Sequence, residues 1–208
     1  MRQVTIGDLG EFYWPANDSA CLDHLQARYT DALTPLPFVK RFDVCIQAGG
    51  NVGVWPRLLA TKFHTVYTFE PDPVNFNYLA LNVPALNVVK LNAALGSGNR
   101  LITTVLPDHE TDNIGAYQVE AGGYVPTFEI DQLALEACDL IILDIEGSEL
   151  DAIHGGMDTI DRFKPVIHLE DKGLSEKYGH KKGAVIAYLE SHGYKVVKTI
   201  ARDFILCA

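Results

Sequence analysis

Cysteine is scarce in this chain and scattered. The four residues Cys21, Cys45, Cys138 and Cys207 form no C-x-x-C pair, which leaves no redox or metal motif of that spacing and points to reduced thiols in a cytoplasmic protein. Positive charge is also thin. Seventeen Lys and Arg stand against 27 Asp and Glu, for a net charge of −10. That balance argues against a broad phosphate-backbone contact, so no nucleic-acid partner is expected. No apolar run approaches membrane-spanning length, so no membrane partner is expected either. Met1–Gly10 carries Gly, Asp and Thr without an apolar signal core, which argues against secretion. Internal repeats and low-complexity segments are missing. What the chain does have is core material. Of 208 residues, 48% are hydrophobic, enough for one α/β domain with a sizeable interior.

The chain is organised around Asp43-Val-Cys-Ile-Gln-Ala-Gly-Gly-Asn-Val-Gly53. An apolar run that ends in three glycines reads as a buried parallel strand entering a tight turn. Val54–Lys62 then has helical composition, with Pro56 in the first turn where its missing N–H costs nothing. Strand, glycine turn and helix together make a nucleotide cradle, because glycines admit close backbone approach and a helix start offers free N–H groups. Gly49, Gly50 and Gly53 stand in an A-x-G-x-x-G frame. Twenty-one residues after Gly49, Glu70 ends the next strand, Thr65–Glu70. An acid at that spacing can accept hydrogen bonds from the ribose hydroxyls of an adenosine ligand. The two features together suggest an adenosine-containing cofactor.

Further along, Asp72–Asn82 reads as a helix with Pro73 in its first turn and Phe76, Leu79 and Ala80 on one face. Asn87–Leu91 is a third strand, and the small residue Ala93 just past its tip offers a place for adenine. Gly96–Pro126 reads as a hairpin or loop excursion. Asp139–Asp144 is the clearest buried strand and ends in Asp144-Ile-Glu146-Gly147-Ser-Glu149. Carboxylates at a strand's C-terminal end lie where open α/β sheets bind ligands. If the strand continues, Asp144 and Glu146 point the same way. Pro165–Glu170 is a fifth strand, Lys181–His192 an amphipathic helix, and Tyr194–Ile200 with Asp203–Cys207 a terminal antiparallel hairpin. The fold expected is therefore a doubly wound, mostly parallel, seven-stranded sheet closed by an antiparallel hairpin. Residues 1–40 precede it as an N-terminal extension. Tyr13, Trp14 and Pro15 there either close as a lid over a cleft or cover a sheet edge.

These residues carry a resemblance. The chain is similar to the FkbM family of S-adenosylmethionine-dependent methyltransferases, whose D-x-G-A-N-x-G opening corresponds to Gln47-Ala-Gly-Gly-Asn51-Val-Gly53. Phe69-Glu-Pro71 matches the family's F-E-P, Asn92-Ala-Ala-Leu-Gly96 is close to N-x-A-L-G, and Asp144-Ile-Glu-Gly-Ser-Glu149 matches D-x-E-G-x-E. The likeness runs from about Asp43 to the C-terminus. It implies a Rossmann-like class I methyltransferase domain over residues 41–208. It also implies a cofactor site of Gln47, Gly49, Gly50, Asn51, Gly53, Glu70, Asn92, Ala93 and Asp144. Two departures stand out. Gln47 replaces the usual acid, and an amide accepts a hydrogen bond from the cofactor's ammonium without a charge-assisted contact. The basic residue usual ahead of the D-x-E-G aspartate is missing.

The reaction implied is O-methylation of a hydroxyl on a sugar, glycan or small natural product. Its base is expected among Asp144, Glu146, His168 and Glu170 at the sheet's C-terminal edge. A divalent cation on Asp144 or Glu146 is the less favoured variant, since the sequence offers no clear third ligand. Glu149 and His154 read as helix-end residues. Two other readings stand beside this one. A nicotinamide-dependent oxidoreductase would use a similar sheet, but Ala48 replaces the first fingerprint glycine. A cofactor-binding protein without catalysis is the other, kept open by Gln47.

Overall fold

The computed structural model describes residues 1–208. Seven strands form the main sheet: β1 Val44–Ala48, β2 Thr65–Phe69, β3 Val88–Leu91, β4 Leu140–Leu143, β5 Val166–Glu170, β6 Lys195–Ile200 and β7 Asp203–Cys207. Their order across the sheet is β6-β7-β5-β4-β1-β2-β3, with β1 to β5 parallel and β7 antiparallel to both β5 and β6. This is the doubly wound sheet with a closing hairpin that the strand pattern implies. The chain leaves β1 toward β2 and β3, then crosses back to β4 and β5. The gap between the C-terminal tips of β1 and β4 is thus the topological switch point, where such sheets open a crevice.

β4 is buried at all four positions because both its faces are covered. Ile141 and Leu143 join Ile46, Ala48, Ile167 and Leu169 in a core roofed by Leu150 and Ile153 of α4 (Glu149–His154). That core also takes in Ile160 of α5 (Met157–Phe163) and Val185 and Leu189 of α6 (Ala184–Ser191). Leu140 and Ile142 join Cys45, Val66 and Val166 on the other face. Leu58 and Leu59 of α2 (Val54–Leu59) and Leu79 of α3 (Pro73–Asn82) cover them. Asp139 Oδ2 accepts from the backbone N–H groups of Asp43 and Val44 at 2.8 and 3.1 Å, which pins the start of β1 to the start of β4.

Three local expectations change. In α3 the buried positions are Asn75, Leu79 and Asn82, while Ala80 is exposed. Asn82 explains the shift: its Nδ2 donates to the carbonyls of Tyr13 and Val52, and its Oδ1 accepts from Tyr13 N–H. Gly96–Pro126 is more than a hairpin. It supplies most of a second, four-stranded sheet of Ala94–Leu95, Val125–Phe128, Leu101–Val105 and Gln118–Ala121. The N-terminal extension contains an antiparallel hairpin, Arg2–Ile6 with Gly10–Trp14, followed by α1 (Ala20–Arg28). Ile6, Phe12 and Trp14 are buried against Val52, Val54 and Ile114. No helix is long and apolar enough to cross a membrane.

Asp18 ties this extension down. Its carboxylate accepts from Trp14 Nε1 (2.7 Å), Leu22 N–H (3.1 Å) and Ile114 N–H (2.9 Å), and only 1% of the residue is exposed. A buried donor left without its acceptor is costly, and three would be left at once. Asp18→Ala is expected to lower stability by about 3 kcal/mol, read from urea unfolding, and to open the 1–40 segment to limited proteolysis first.

Candidate active site

At the switch point the backbone is forced into special conformations. Gly49 has φ +84°, and a Cβ there would overlap the carbonyl oxygen of Asp144 across the gap. Only glycine tolerates both demands. The Gly49 and Gly50 N–H groups donate to Phe69 O at 3.1 and 2.9 Å, which turns the chain over the tip of β2. Glu70 stands at that tip. It is 5% exposed, and its carboxylate accepts from Asn51 N–H (2.7 Å) and Asp72 N–H (2.8 Å). One lone pair remains on each oxygen.

Together these residues edge a cleft of about 460 Å³, the size of a site for a nucleotide-sized ligand. Gly49, Gly50, Asn51, Glu70 and Ala93 line one part of it, and Asp144, Glu146 and Glu170 another. The expected cofactor and catalytic residues therefore meet in one cavity, with four exceptions. Gln47 is fully buried and does not reach the cleft. Its Nε2 donates to the carbonyls of Ala48 (3.1 Å) and Gly49 (2.9 Å), and its Oε1 accepts from Thr68 Oγ1 (2.6 Å). The amide holds the turn from inside, so it is not available to a ligand ammonium. Gly53 starts α2 in the left-handed region, under Val83 and Leu79. Asn92 Nδ2 donates to the carbonyls of Glu70 and Pro71 and steadies the tip of β2. His168 lies deeper in β5, 3% exposed, stacked at 6.4 Å on Trp55 and 3.8 Å from Asp203. Burial pushes its pKa down to about 4. It is a neutral core imidazole that does not line the cleft.

The strand after Asp144 does not continue. β4 stops at Leu143, Glu146 adopts φ +53°, and Gly147 follows at +105°. A left-handed glutamate is an uncommon, strained conformation. It brings the carboxylates of Asp144, Glu146 and Glu170 within 4.8 Å of one another. Glu149 closes the turn by accepting from the N–H groups of Ile145 and Gly147, in keeping with its helix-end reading.

Lys172, which sequence reasoning passed over, sits among the three acids. Its Nζ is 2.7 Å from Glu146 Oε1, 2.7 Å from Glu170 Oε2 and 3.9 Å from Asp144 Oδ1. It supplies from the end of β5 the cation missing ahead of Asp144. Burial and the charge of Asp144 push Glu170 up to about 8, and burial raises Glu146 against the pull of Lys172. Asp144 is the most open of the three, 38% exposed at its side chain.

The extension adds a wall of Cys21, His24 and Arg28, and the excursion adds Ile114 and Tyr117. Asn75 was also missed. It lines the cleft and donates from Nδ2 to Ile114 O (3.0 Å), while its buried Oδ1 accepts nothing from the protein. A cradle without room for a side chain, an acid with spare lone pairs and an unpartnered amide oxygen together fit an adenosine ligand with hydroxyl and amino donors.

The methyltransferase FkbM domain model matches residues 47–196. The chain belongs to the FkbM methyltransferase domain family. Comparison with curated proteins finds no match. Among solved structures, the FkbM methyltransferase of Methylobacillus flagellatus KT is 18% identical. The match covers 88% of this chain and 51% of that one, with a TM-score of 0.53. This chain thus spans about half the length of that protein. A precorrin-6y C5,15-methyltransferase from Geobacter metallireducens GS-15 is 15% identical, with 98% of each chain covered and a TM-score of 0.50. The N-methyltransferase NodS from Bradyrhizobium japonicum WM9, solved with S-adenosyl-l-homocysteine, is 11% identical, with 88% of this chain and 84% of that one covered and a TM-score of 0.50. These likenesses show a class I methyltransferase fold. Membership of this family sets aside the nicotinamide-dependent reading.

Two predictions follow from the buried polar groups. Gln47→Glu, which restores an acid near the family's usual position, faces a carboxylate onto two carbonyls and removes two donors. It is expected to cost about 2–3 kcal/mol of stability in urea unfolding. The pH dependence of stability has a defined sign. Burial pushes Glu70 up to about 8 and Glu149 up to about 7, both from 4.5. Carboxyls raised on folding contribute stability that is present below pH 4.5 and lost as pH rises through 7 to 8. His168, lowered from 6.5 to about 4, acts in the opposite sense, and only as pH falls below 6.5. The thermal midpoint of the ligand-free protein is therefore expected to fall as pH rises from 4.5 to about 8, most steeply between 6.5 and 7 where His168 no longer opposes the two carboxyls, and to level off above 8. Each raised carboxyl contributes up to about 1.4 kcal/mol per pH unit, and Glu149→Gln should flatten the slope.

Proposed function

We propose that the chain is an S-adenosylmethionine-dependent O-methyltransferase acting on a hydroxyl of a sugar, glycan or small natural product. The observation that carries this reading is the placement of Glu70 and the Asp144–Glu146–Glu170 cluster on one cleft. One part accepts hydrogen bonds from ribose hydroxyls, and the other receives a proton.

S-adenosylmethionine supplies an electrophilic methyl group on sulfur. The protein's own task is then mainly alignment and proton removal. Glu70 takes ribose hydroxyl donors on its free lone pairs, Asn75 Oδ1 takes a further donor, and the Gly49–Gly50 backbone lets the ligand lie against the turn. The acceptor oxygen forms the new C–O bond, the electrons of the broken C–S bond stay on sulfur, and the acceptor proton passes to Asp144. Asp144 is favoured as base because it is the most open carboxylate of the three, whereas Glu170 is paired with Lys172 at 2.7 Å. Glu146 is held by Lys172. The acidic cleft disfavours phosphorylated or carboxylated acceptors and suits neutral hydroxyl compounds.

Isothermal titration with S-adenosylhomocysteine, beside NAD, tests the cofactor half. Micromolar binding of the first alone is expected, about 100-fold weaker in Glu70→Ala. No binding at millimolar ligand would overturn it. For the chemical half, a radiolabelled methyl-transfer screen over neutral glycans and polyols is expected to find an acceptor. With that acceptor, Asp144→Asn should lose about 100- to 10,000-fold in kcat.

A further inference from the structure

The three carboxylates at the end of β4 and β5 look like a site for a hard cation. Their oxygens lie within 4.8 Å of one another, close to the spread of oxygens around one small divalent ion. The centre of that cluster is already taken by an ammonium. Lys172 Nζ stands 2.7 Å from both Glu146 and Glu170 and 3.9 Å from Asp144. An ammonium has three N–H donors. Two are used at hydrogen-bonding distance, and 3.9 Å is too long for a third bond to Asp144. One donor is therefore left, on a side chain that is 28% exposed and lines the cleft.

We propose that Lys172 stands in for a divalent cation in the acceptor site, holding the Asp144–Glu146–Glu170 cluster together and offering its remaining N–H to the acceptor oxygen, so that methyl transfer needs no metal. The proposal rests on the methyltransferase reading for its acceptor oxygen, but not for the cluster itself. A metal ion would orient a hydroxyl by drawing its oxygen into the coordination sphere. The lysine does this with a hydrogen bond, its Nζ 3.9 Å from the Asp144 carboxylate that takes the proton. Because the lysine is tethered two residues beyond the end of β5, it is always present at the cluster. A divalent ion would have to displace it or sit beside a like charge. The left-handed Glu146 fits this role, since that conformation turns its carboxylate onto Nζ.

The test is Mn²⁺ binding, followed by electron paramagnetic resonance of the free ion, with the whole chain both free and holding S-adenosylhomocysteine. Wild type and Lys172→Arg are expected to leave Mn²⁺ free. Lys172→Ala uncovers a three-carboxylate site and should bind Mn²⁺ at least about 100-fold more tightly than wild type. Lys172→Ser serves as a second uncovering variant if the alanine chain does not fold. Loss of a merely structural ion pair would weaken the fold without creating a metal site. The proposal is overturned if wild type binds Mn²⁺ as tightly as Lys172→Ala. It is equally overturned if neither folded variant binds it. Calorimetry with S-adenosylhomocysteine on the same samples reports separately on the cofactor reading, since the titration without that ligand stands on its own.

Discussion

The tips of β1 and β4 approach so closely that the carbonyl of Asp144 fills the space where a side chain on residue 49 would stand. The rest of the site depends on that contact. With no side chain between them, the two turns lie against each other, and Glu70 at the tip of β2 and Asp144 at the tip of β4 face one cavity. The turn after β1 lies over Phe69 and donates to its carbonyl, which sets Glu70 beside the Asn51 N–H. The turn after β4 breaks at once into the left-handed Glu146, which aims its carboxylate at Lys172 instead of continuing along the strand. The parallel sheet provides the switch point, and the close contact makes it a single site.

Charge is managed differently in the two parts of that cavity. Around Glu70 the protein answers a buried carboxylate with backbone N–H groups only, which leaves acceptor capacity facing the cleft. Around Asp144 it answers three carboxylates with one ammonium. A cluster of three carboxylates around one ammonium resists anionic ligands at that end of the cleft and leaves at least one carboxylate able to take a proton. Both regions are partly dry, and burial is the first cause of each raised carboxyl.

The strands of the main sheet and its mostly parallel class were legible because buried parallel strands write themselves as unbroken apolar runs, of which Leu140-Ile-Ile-Leu143 is the plainest. Glu70, Asp144 and Glu170 were legible because each ends such a run. Depth along a strand was not. His168 shares the alternation of Glu170 but stands two residues earlier, and that difference moves it from the cleft into the core. The direction of the Gln47 side chain was not legible either. An amide that can accept from a ligand can equally donate to its own turn, and only the positions of the Ala48 and Gly49 carbonyls decide. The N-terminal hairpin left a signal that went unused. Ile6, Phe12 and Trp14 alternate with exposed neighbours across Gly7–Gly10, the period of a half-buried ribbon. Lys172 left almost none, since a lysine just past a strand is ordinary until its neighbours are known.

The wall that faces the sheet across the cleft is built from parts of the chain far apart in sequence. Asp18 bonds to Ile114, 96 residues away, and Tyr13 to Asn82, 69 residues away. The floor spans as much chain, since the N–H of Asp43 bonds to the carboxylate of Asp139, also 96 residues away. Each such contact closes a large loop. Floor and wall therefore have no local precursor, and no short excised segment would carry the cavity: the site belongs to the whole chain, although the motif that names it fits in a dozen residues.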